Sequence, residues 1–470
     1  MSLTKVSYSM VQGAPINVQD YGAVGDGTTD DTAAIQAAIS AAEGVGGKLV
    51  FPQANYRISA ALTVTLPITI DGQMAQIYQQ TTNTSVFIFD EGAPGASNYQ
   101  YAFNVQNLVV ATAAGLGNAF VFRNINESIF RNLYVVGTGD IAFYFQGCLL
   151  NLVEHCYTGD GLTASPGFFV GSLPTNRAGF VIEAYNGLGS NTNVFNRCTA
   201  TNSTVYAFNV DSTGNTFINC DAEGIGIGAD HFLCAGESTS IIGGNFEGGG
   251  GGITVSASGC SISNVNCLTF CTINAGVTGT TIRSGSIKYL EFLAGANNNS
   301  VDGVSIIVTG YLTDNGTDNL IINVENSSGT QLGMFQSGTF TPLLKFGGAS
   351  AASAYFSQIG SWWRNGNIVN FTCFIQVQTL TAATGDATID LNDIGYASVG
   401  TINIPCAWFG NGVPVGAGYG NIIPLLDAGT KNVLLYKVLD TTGVNASLTN
   451  ADFSSSDQLT ISGFYPLTRN

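Results

Sequence analysis

Short apolar runs alternate with small polar turns over residues 118–306, and the pattern recurs about every twenty to thirty residues. Each repeat holds two such runs, which begin at residues 119, 142, 179, 207, 231 and 252 and at residues 128, 152, 194, 216, 240 and 261. A fixed period in this range is typical of a solenoid, and runs this short favour strands over helices. The sequence therefore predicts a right-handed parallel β-helix, in which equivalent residues of successive turns stack about 4.8 Å apart.

A short amphipathic helix is predicted ahead of the repeats. Thr29 or Asp30 is placed to cap its N-terminus, because their side chains accept hydrogen bonds from free backbone N–H groups. Ile35 and Ile39 form an apolar stripe at helical spacing, and glycines at 44–47 end the helix. Such a helix would cover the open N-terminal end of the solenoid.

The pattern changes after residue 338. Longer segments with period-two alternation lie at residues 368–377, 387–391 and 433–438, separated by glycine and asparagine turns. This texture predicts an antiparallel β-sandwich. We therefore divide the all-β chain into a lead-in at residues 1–17, a cap with the helix and first strands at 18–75, the parallel β-helix at 76–337 and the sandwich at 338–470.

Composition narrows the choice of partners. The net charge is −17 and only 10% of residues are charged, which argues against nucleic acid and anionic membranes because phosphate would be repelled. No apolar run reaches the length of a membrane span, and the first residues lack a signal-peptide core, so synthesis in a cytoplasm is expected. Three of the ten cysteines, Cys156, Cys198 and Cys220, share one repeat position and are interpreted as a reduced core ladder. No cofactor is expected.

The N-terminal segment carries a resemblance. Residues 20–27, 30–39, 46–47 and 50–52, with Tyr56, closely resemble the N-terminal cap of the pectate-lyase-like β-helix superfamily, which includes polygalacturonases and bacteriophage tailspikes. The resemblance is specific for fold and carries no chemistry of its own. A calcium site at Asp26, Asp30 and Asp31 is an alternative, but turn and helix capping are the simpler interpretation, and no metal site is predicted.

The C-terminal part carries a second resemblance. Residues 338–342 and 362–369, with Tyr355, Gly360 and Phe371, look like the β-sandwich at the end of many phage tail fibres and spikes. This resemblance implies a homotrimeric tailspike that is a phage tail or baseplate component, located in the virion tail and made in the host cytoplasm. It further implies a bacterial surface polysaccharide, capsule or O-antigen, as ligand. Trp362, Trp363 and Trp408 are expected in the sandwich core or at trimer contacts.

Alignment of the repeats brings acidic residues into columns on the outer face. Glu223 falls over Glu247 on adjacent turns, and Glu183 falls over Asp211. Asp221, two residues before Glu223 on the same strand face, is a third candidate. Two stacked acidic pairs in neighbouring turns would concentrate negative charge that stability alone would avoid.

This spacing has a mechanistic meaning. Carboxylates one turn apart lie about 5 Å apart, near the separation used by retaining glycoside hydrolases, whereas two turns approach the inverting range. Crowding of like charges also raises one pKa and so yields a protonated general acid. We predict Glu223 and Glu247 as the acid/base and nucleophile pair, with Asp221, Asp211 and Glu183 next. The alternative is that these acids are solvated charges beside loops.

Two other functions stay open. A polysaccharide lyase needs a cation and a base, and Arg197, Arg177, Tyr206 and His231, with Tyr185 for sugar stacking, are the candidate substrate-binding residues. Each of them is also compatible with a structural role. The insertion at residues 157–179, with Asp160, Phe168 and Phe169, is expected to leave the coil and wall a groove. A non-enzymatic tail fibre that only binds glycan would share the same fold.

Overall fold

The structure, a computed structural model, describes residues 13–90, 99–113, 115–159, 176–226, 229–307, 311–326, 328, 335–350, 352–365, 368–391, 394, 407–411, 419–426, 432–439 and 445–466. The chain divides into two compact units, Met1–Leu320 with Val324–Gly329 and Ile321–Asn323 with Thr330–Asn470. The insertion residues Asp160, Phe168 and Phe169 lie outside the described residues, so the expected groove wall stays a prediction. The predicted boundaries at residues 17, 75 and 337 also stay predictions.

Parallel strands coil on three faces between residues 16 and 326, which confirms the parallel β-helix. The first face holds Leu62–Val64, Phe87–Phe89, Phe120–Arg123, Ile141–Gln146, Ala178–Glu183, Tyr206–Asp211, Asp230–Cys234, Gly252–Val255 and Leu312–Asp314. The second face holds Ile16–Asn17, Lys48–Val50, Leu152–Glu154, Val194–Asn196, Thr216–Ile218, Ser240–Ile242, Ser300–Asp302 and Leu320–Ile322.

The third face completes each turn. It holds Asp26–Asp30, Asn55–Ile58, Tyr157–Thr158, Thr199–Thr201, Asp221–Glu223, Asn245–Glu247, Ser305–Ile306 and Glu325–Asn326. Five longer strands run through more than one face, namely Thr69–Gln79, Asn104–Thr112, Ile129–Gly137, Ser261–Ile273 and Thr281–Phe292. A small separate pair joins Gln100–Tyr101 to Ile125–Asn126.

The corner between the second and third faces has a fixed backbone. One residue there adopts a left-handed conformation with φ near +50 to +60° in turn after turn, as in Asn107, Asn132, His155, Arg197, Asn219, Asn264, Ser284 and Asn323. Asparagine tolerates this conformation better than most residues, which explains its frequency in the sequence. Because the corner is the same in each turn, the strands on both sides of it keep one register.

Stacked phenylalanines fill the interior behind the first face. Phe143, Phe180 and Phe208 lie on consecutive turns with ring centroids 4.6 Å and 5.0 Å apart and nearly parallel planes. Apolar side chains at one repeat position thus pack against their own equivalents, and offset stacking adds to the burial of their surface.

The cysteine prediction is confirmed. Cys156, Cys198 and Cys220 are buried and free. Burial raises the pKa of the Cys198 thiol well above its ordinary value. These residues therefore behave as small core side chains.

The N-terminal helix Thr32–Val45 is confirmed as well, preceded by the 3-10 helix Val18–Tyr21. Ile35 and Ile39 are buried, and Gly46 ends the helix in the left-handed conformation.

The predicted cap residue was wrong. The N-cap is Asp31 rather than Thr29 or Asp30, and its side chain makes no capping bond. It accepts instead from the backbone N–H groups of Val24, at 2.6 Å, and Gly25, at 3.1 Å. The carboxylate ties the preceding loop to the helix start, a contact between residues that helical spacing alone does not reveal.

The second unit is antiparallel, which confirms the sandwich. A five-stranded sheet holds Phe335–Phe340, Ala352–Asn365, Ile368–Leu380, Gln458–Pro466 and Ala407–Asn411. A second sheet holds Ala349–Ser350, Leu343–Phe346, Ala387–Asp390, Asn432–Leu439, Tyr419–Leu426 and Asn445–Ser447, and the 3-10 helix Asn450–Asp452 follows. Trp362 packs against the core between them, Trp363 is exposed, and the surroundings of Trp408 lie outside the description.

The phenylalanine stack gives a stability prediction. Phe180→Ala should lower the free energy of unfolding by about 3–5 kcal/mol, because it leaves a cavity between two rings that cannot close without breaking the register. Chemical denaturation followed by circular dichroism measures this. Tyr101→Ala, at a ring that is 47% exposed, is the control and should change stability by less than about 1 kcal/mol.

Candidate functional site

Glu223 and Glu247 lie side by side on adjacent turns of the third face, as the repeat alignment predicted. The register pairs Glu223 with Glu247 and Ala222 with Phe246. Ala222 and Phe246 are fully buried, so the alternate residues, the two glutamates, project outward. Neighbouring strands are about 4.8 Å apart, and the separation of about 5 Å between the two carboxylates stays a prediction.

Asp221 completes this group, which we call the third-face acid cluster (Asp221, Glu223 and Glu247). Its side chain is half-buried and accepts a hydrogen bond from the Asn245 backbone N–H at 2.9 Å. Burial raises the pKa of Asp221, and the charge of Glu247 raises it further. A carboxyl group in this position retains its proton to higher pH than a solvated aspartate.

Glu183 and Asp211 form the second predicted pair, and the register confirms it. The pair lies at the end of the first-face strands. Glu183 Oε1 accepts hydrogen bonds from the Tyr144 hydroxyl and, at 3.0 Å, from Gln146 Nε2. Burial raises the pKa of Tyr144, and the hydrogen bond to Glu183 adds to the rise, so this phenol stays protonated and donates.

Arg123 extends this second group. Its Nε donates to Gln146 Oε1 at 2.9 Å, and its Nη1 lies 3.0 Å from Asp90 Oδ2. Its guanidinium also lies 5.5 Å from the centre of the Tyr185 ring. We call Arg123, Tyr144, Gln146 and Glu183 the first-face cluster. Sequence reasoning missed its first three members, although Arg123 and Gln146 share one column with Glu183.

The two acidic pairs do not form one concentration of charge. The strand Tyr206–Asp211 begins after the third face and ends before the second, so Asp211 and Glu183 lie at the far end of the first face from Glu223 and Glu247. The expectation of a single acidic patch was therefore wrong. A repeat alignment predicts the turn of the β-helix in which each residue lies, but not the corner or face of that turn on which it lies.

The two predicted arginines, Arg177 and Arg197, lie at different corners of the β-helix. Arg177 forms an ion pair with Asp140, also on the first-face side. Arg197 is exposed at the corner before the third face, with φ +52°. Arg197 thus comes just before a third-face strand, and Arg177 comes just before a first-face strand.

His231 is not a surface ligand, contrary to the prediction. It is fully buried, and its Nε2 lies 3.0 Å from the backbone oxygen of Glu247. Burial lowers its pKa, so the ring is neutral at pH 7. The alternation of side chains along the strand places His231 on the outer side. The segment that follows Glu247 covers the ring there.

Tyr206 and Asp230 are two further first-face residues, each with both apolar and polar neighbours. Tyr206 is partly buried and packs against Ile141, Ala178 and Val181. Its neighbour on the next turn is Asp230, which accepts from Thr254 Oγ1 at 2.8 Å and whose pKa is raised by burial. Asp230 was not predicted, because it begins a strand outside the aligned apolar runs.

Among the described residues, no three histidines, cysteines or carboxylates come together in a group that could hold a metal ion. In the cap, Asp26 accepts from the backbone N–H groups of Thr28 and Thr29. Asp30 binds Thr32 and Ser59. In the part of the chain that the structure covers, no helix is long and apolar enough to cross a membrane.

Comparison with known families identifies the fold family. Residues 15–281 match the sequence model of the family described as rhamnogalacturonase A/epimerase, pectate lyase-like. The chain belongs to this family. The pectate-lyase-like assignment confirms the resemblance seen in residues 20–56, and it includes both acidic groups described above.

Curated relatives match over a short stretch. Mannuronan C5-epimerase AlgE1 of Azotobacter vinelandii is 61% identical over 44 residues, which are 9% of this pectate-lyase-like chain and 3% of the epimerase. Alginate lyase 7 of the same organism is 61% identical over 44 residues, 5% of its length. The chain thus spans only a few per cent of these relatives.

Solved structures show distant likeness. The Dettilon tailspike protein is 14% identical with a TM-score of 0.41, covering 96% of this chain and 94% of that one. ORF18 of Geobacillus virus E2 is 14% identical with a TM-score of 0.49, covering 92% and 78%. Identities this low carry no information about the reaction.

The position of Asp221 gives a pH prediction. Its folded pKa is raised above the unfolded value of about 3.9, so ionisation opposes folding as pH rises. Asp221→Asn keeps an acceptor for the Asn245 N–H and removes the charge. The variant should therefore melt at a higher temperature than the unaltered protein at pH 7, and the difference should shrink towards pH 3. A difference that is constant over this range would contradict the assignment.

Proposed function

We propose that the protein is a phage tailspike that binds and depolymerises a bacterial surface polysaccharide. Membership of a pectate-lyase-like family supports a polysaccharide as ligand, and the local relatives are named for mannuronan and alginate. The resemblance of the C-terminal segment to tail-fibre sandwiches supports the virion tail as its location. The net charge of −17 favours a glycan whose contacts are hydroxyl groups over a densely anionic one.

The third-face acid cluster is the proposed catalytic centre, and the register of Glu223 with Glu247 is the observation that carries this. In hydrolysis, one carboxyl donates a proton to the glycosidic oxygen as the bond to the anomeric carbon breaks. The other carboxylate attacks that carbon, and water later releases the sugar as the first group takes back a proton. Asp221, whose pKa is raised, supports a protonated acid at the same place.

The first-face cluster favours a second candidate reaction, β-elimination by a lyase. In a lyase, a base removes the ring proton next to a uronate carboxyl, and the bond between the neighbouring carbon and the glycosidic oxygen breaks. That oxygen takes a proton as it leaves, and the ring keeps a double bond. The Tyr144 hydroxyl, bonded to Glu183 near the Arg123 guanidinium, combines a proton-transfer group with a cation. The two reactions differ in product, because only elimination gives a double bond that absorbs ultraviolet light.

A homotrimer is proposed as the assembled form. The outer side of the five-stranded sheet exposes five large apolar side chains, each 43–63% exposed, which are Phe356, Ile359, Trp363, Ile368 and Phe464. We call this set the apolar sandwich face. Large apolar side chains exposed on one face of a sheet favour an interaction site, and copies of this chain related by symmetry are the proposed occupants.

Removal of one carboxylate should abolish depolymerisation. Glu223→Gln and Glu247→Gln should each lower the rate at least about 100-fold, because glutamine neither donates a proton in this way nor attacks as a carboxylate. Purified protein is incubated with capsule and O-antigen preparations, and the products are sized by mass spectrometry.

The matched control is Glu237→Gln, which changes an exposed glutamate outside the acid cluster and should leave the rate unchanged. If both folded cluster variants work at the rate of the unaltered protein, the pair is not catalytic. An unsaturated product that disappears in Glu183→Gln would assign elimination to the first-face cluster instead. Binding without any product would indicate a glycan-binding fibre.

The assembly proposal has its own test. Ile359→Asp together with Trp363→Asp should convert a three-chain species to single chains at micromolar concentration, since charges on this face cannot be buried. Light scattering after size-exclusion chromatography measures the mass. Leu116→Asp, at a side chain that is 67% exposed in the first unit, is the control and should keep the trimer. A single-chain mass for the unaltered protein would refute the proposal.

A further inference from the structure

Three aromatic rings form an exposed ladder late in the β-helix. Phe270, Tyr289 and Tyr311 lie on consecutive turns of the first face, with ring centroids 4.8 Å and 5.0 Å apart. Phe270 is 44% exposed and Tyr311 is 49% exposed. The phenylalanine stacks of the interior are completely buried, so this ladder is not part of the core.

The turn before Phe270 places no side chain at the position paired with its ring. The register pairs Phe270 with Gly252, which has no side chain, and with Tyr289 on the other side. A Cβ at Gly252 would lie 2.1 Å from the Phe270 carbonyl oxygen, so only glycine fits this close approach. The ring stacks on Tyr289 with one face and meets no side chain of its register partner with the other.

The ladder starts close to the third-face acid cluster. Phe246, the residue before Glu247, pairs with Cys267 on the next turn, and Phe270 follows three residues after Cys267. The strand Ser261–Ile273 continues from the third face to the first without a loop. A ligand lying across Glu247 towards the first face therefore reaches Phe270 on the next turn.

We propose that Phe270, exposed and paired with Gly252, is a subsite that binds a pyranose ring of the polysaccharide, with Tyr289 and Tyr311 as its continuation. This subsite rests on the proposed function and extends it by one sugar position beyond the acids. The C–H bonds on one face of a pyranose carry partial positive charge, and an aromatic face is negative, so the two surfaces attract while water is removed.

Polar side chains that can form hydrogen bonds with sugar hydroxyl groups flank the ladder. Two residues further along each strand the outward positions are Thr254, Thr272 and Glu291, in register with one another. Hydroxyl and carboxylate groups of this kind donate to and accept from sugar hydroxyls. Lys288 Nζ lies 5.1 Å from the centre of the Tyr289 ring.

This polar border distinguishes the ladder from the apolar sandwich face. The centre of a protein interface is depleted in charged residues, whereas here a lysine and a glutamate adjoin the rings. A mixed aromatic and hydroxyl-binding surface beside carboxylates fits a sugar chain better than a second copy of the protein.

The test measures binding of the protein by affinity electrophoresis in gels that contain alginate, polygalacturonate, dextran, capsule or O-antigen preparations. For each polysaccharide that retards the unaltered protein, Phe270→Ala should weaken binding about tenfold. The affinity of Phe270→Tyr should stay within about twofold of that of the unaltered protein, because the variant keeps the aromatic ring. Phe270→Leu should lose as much affinity as Phe270→Ala. Tyr101→Ala, which removes a ring that is 47% exposed elsewhere, should bind normally.

The outcomes separate the two proposals. If the unaltered protein binds none of the polysaccharides, the proposed function fails and the subsite with it. If it binds and Phe270→Ala binds equally well, the subsite is wrong while the proposed function stands. A Phe270→Ala variant that changes mass in light scattering would show that the ladder is an interface between chains, which also overturns the subsite.

Discussion

Lateral hydrogen bonding between equivalent strands is the interaction on which the rest of the first unit depends. Each strand pairs with its equivalent one turn earlier and one turn later, residue for residue. Residues of the same kind are consequently neighbours on successive turns. In the core this stabilises the fold, because Phe180 stacks on Phe208. The same rule brings Glu223 to Glu247 on the surface, where it opposes stability.

The corners of the coil make this pairing possible. Residues such as Asn219 turn the backbone sharply in the left-handed conformation between the second and third faces. At the corner before the second face, Asn151, Asn193 and Asn215 are buried and bond to one another at 2.9–3.0 Å. Buried amides that satisfy each other from turn to turn hold the register without charges.

Much of the fold was predictable because it is periodic. The apolar runs, the Cys198 ladder and the stacking of Glu223 on Glu247 all follow from aligning one repeat with the next. The contact of Tyr144 with Glu183 was not predictable in this way, since it is diagonal and joins two different repeat positions. The burial of His231 depends on a covering segment, and loops carry no period. Aligning the repeats thus predicts which residues share a column on the β-helix. Contacts at corners, contacts between different repeat positions and burial under loops are seen only in the structure.

The separation of the two clusters constrains the size of the ligand. They stand at opposite ends of first-face strands such as Tyr206–Asp211, whose six residues span about 16 Å at the rise of a β-strand. No single sugar ring reaches across that distance, so contact with both clusters requires an oligosaccharide. The same length keeps the charge of Glu223 and Glu247 away from Tyr144, because most of the Coulomb interaction is screened beyond about 10 Å. The solenoid therefore holds two separate polar clusters on one surface, and only an extended chain is long enough to contact both.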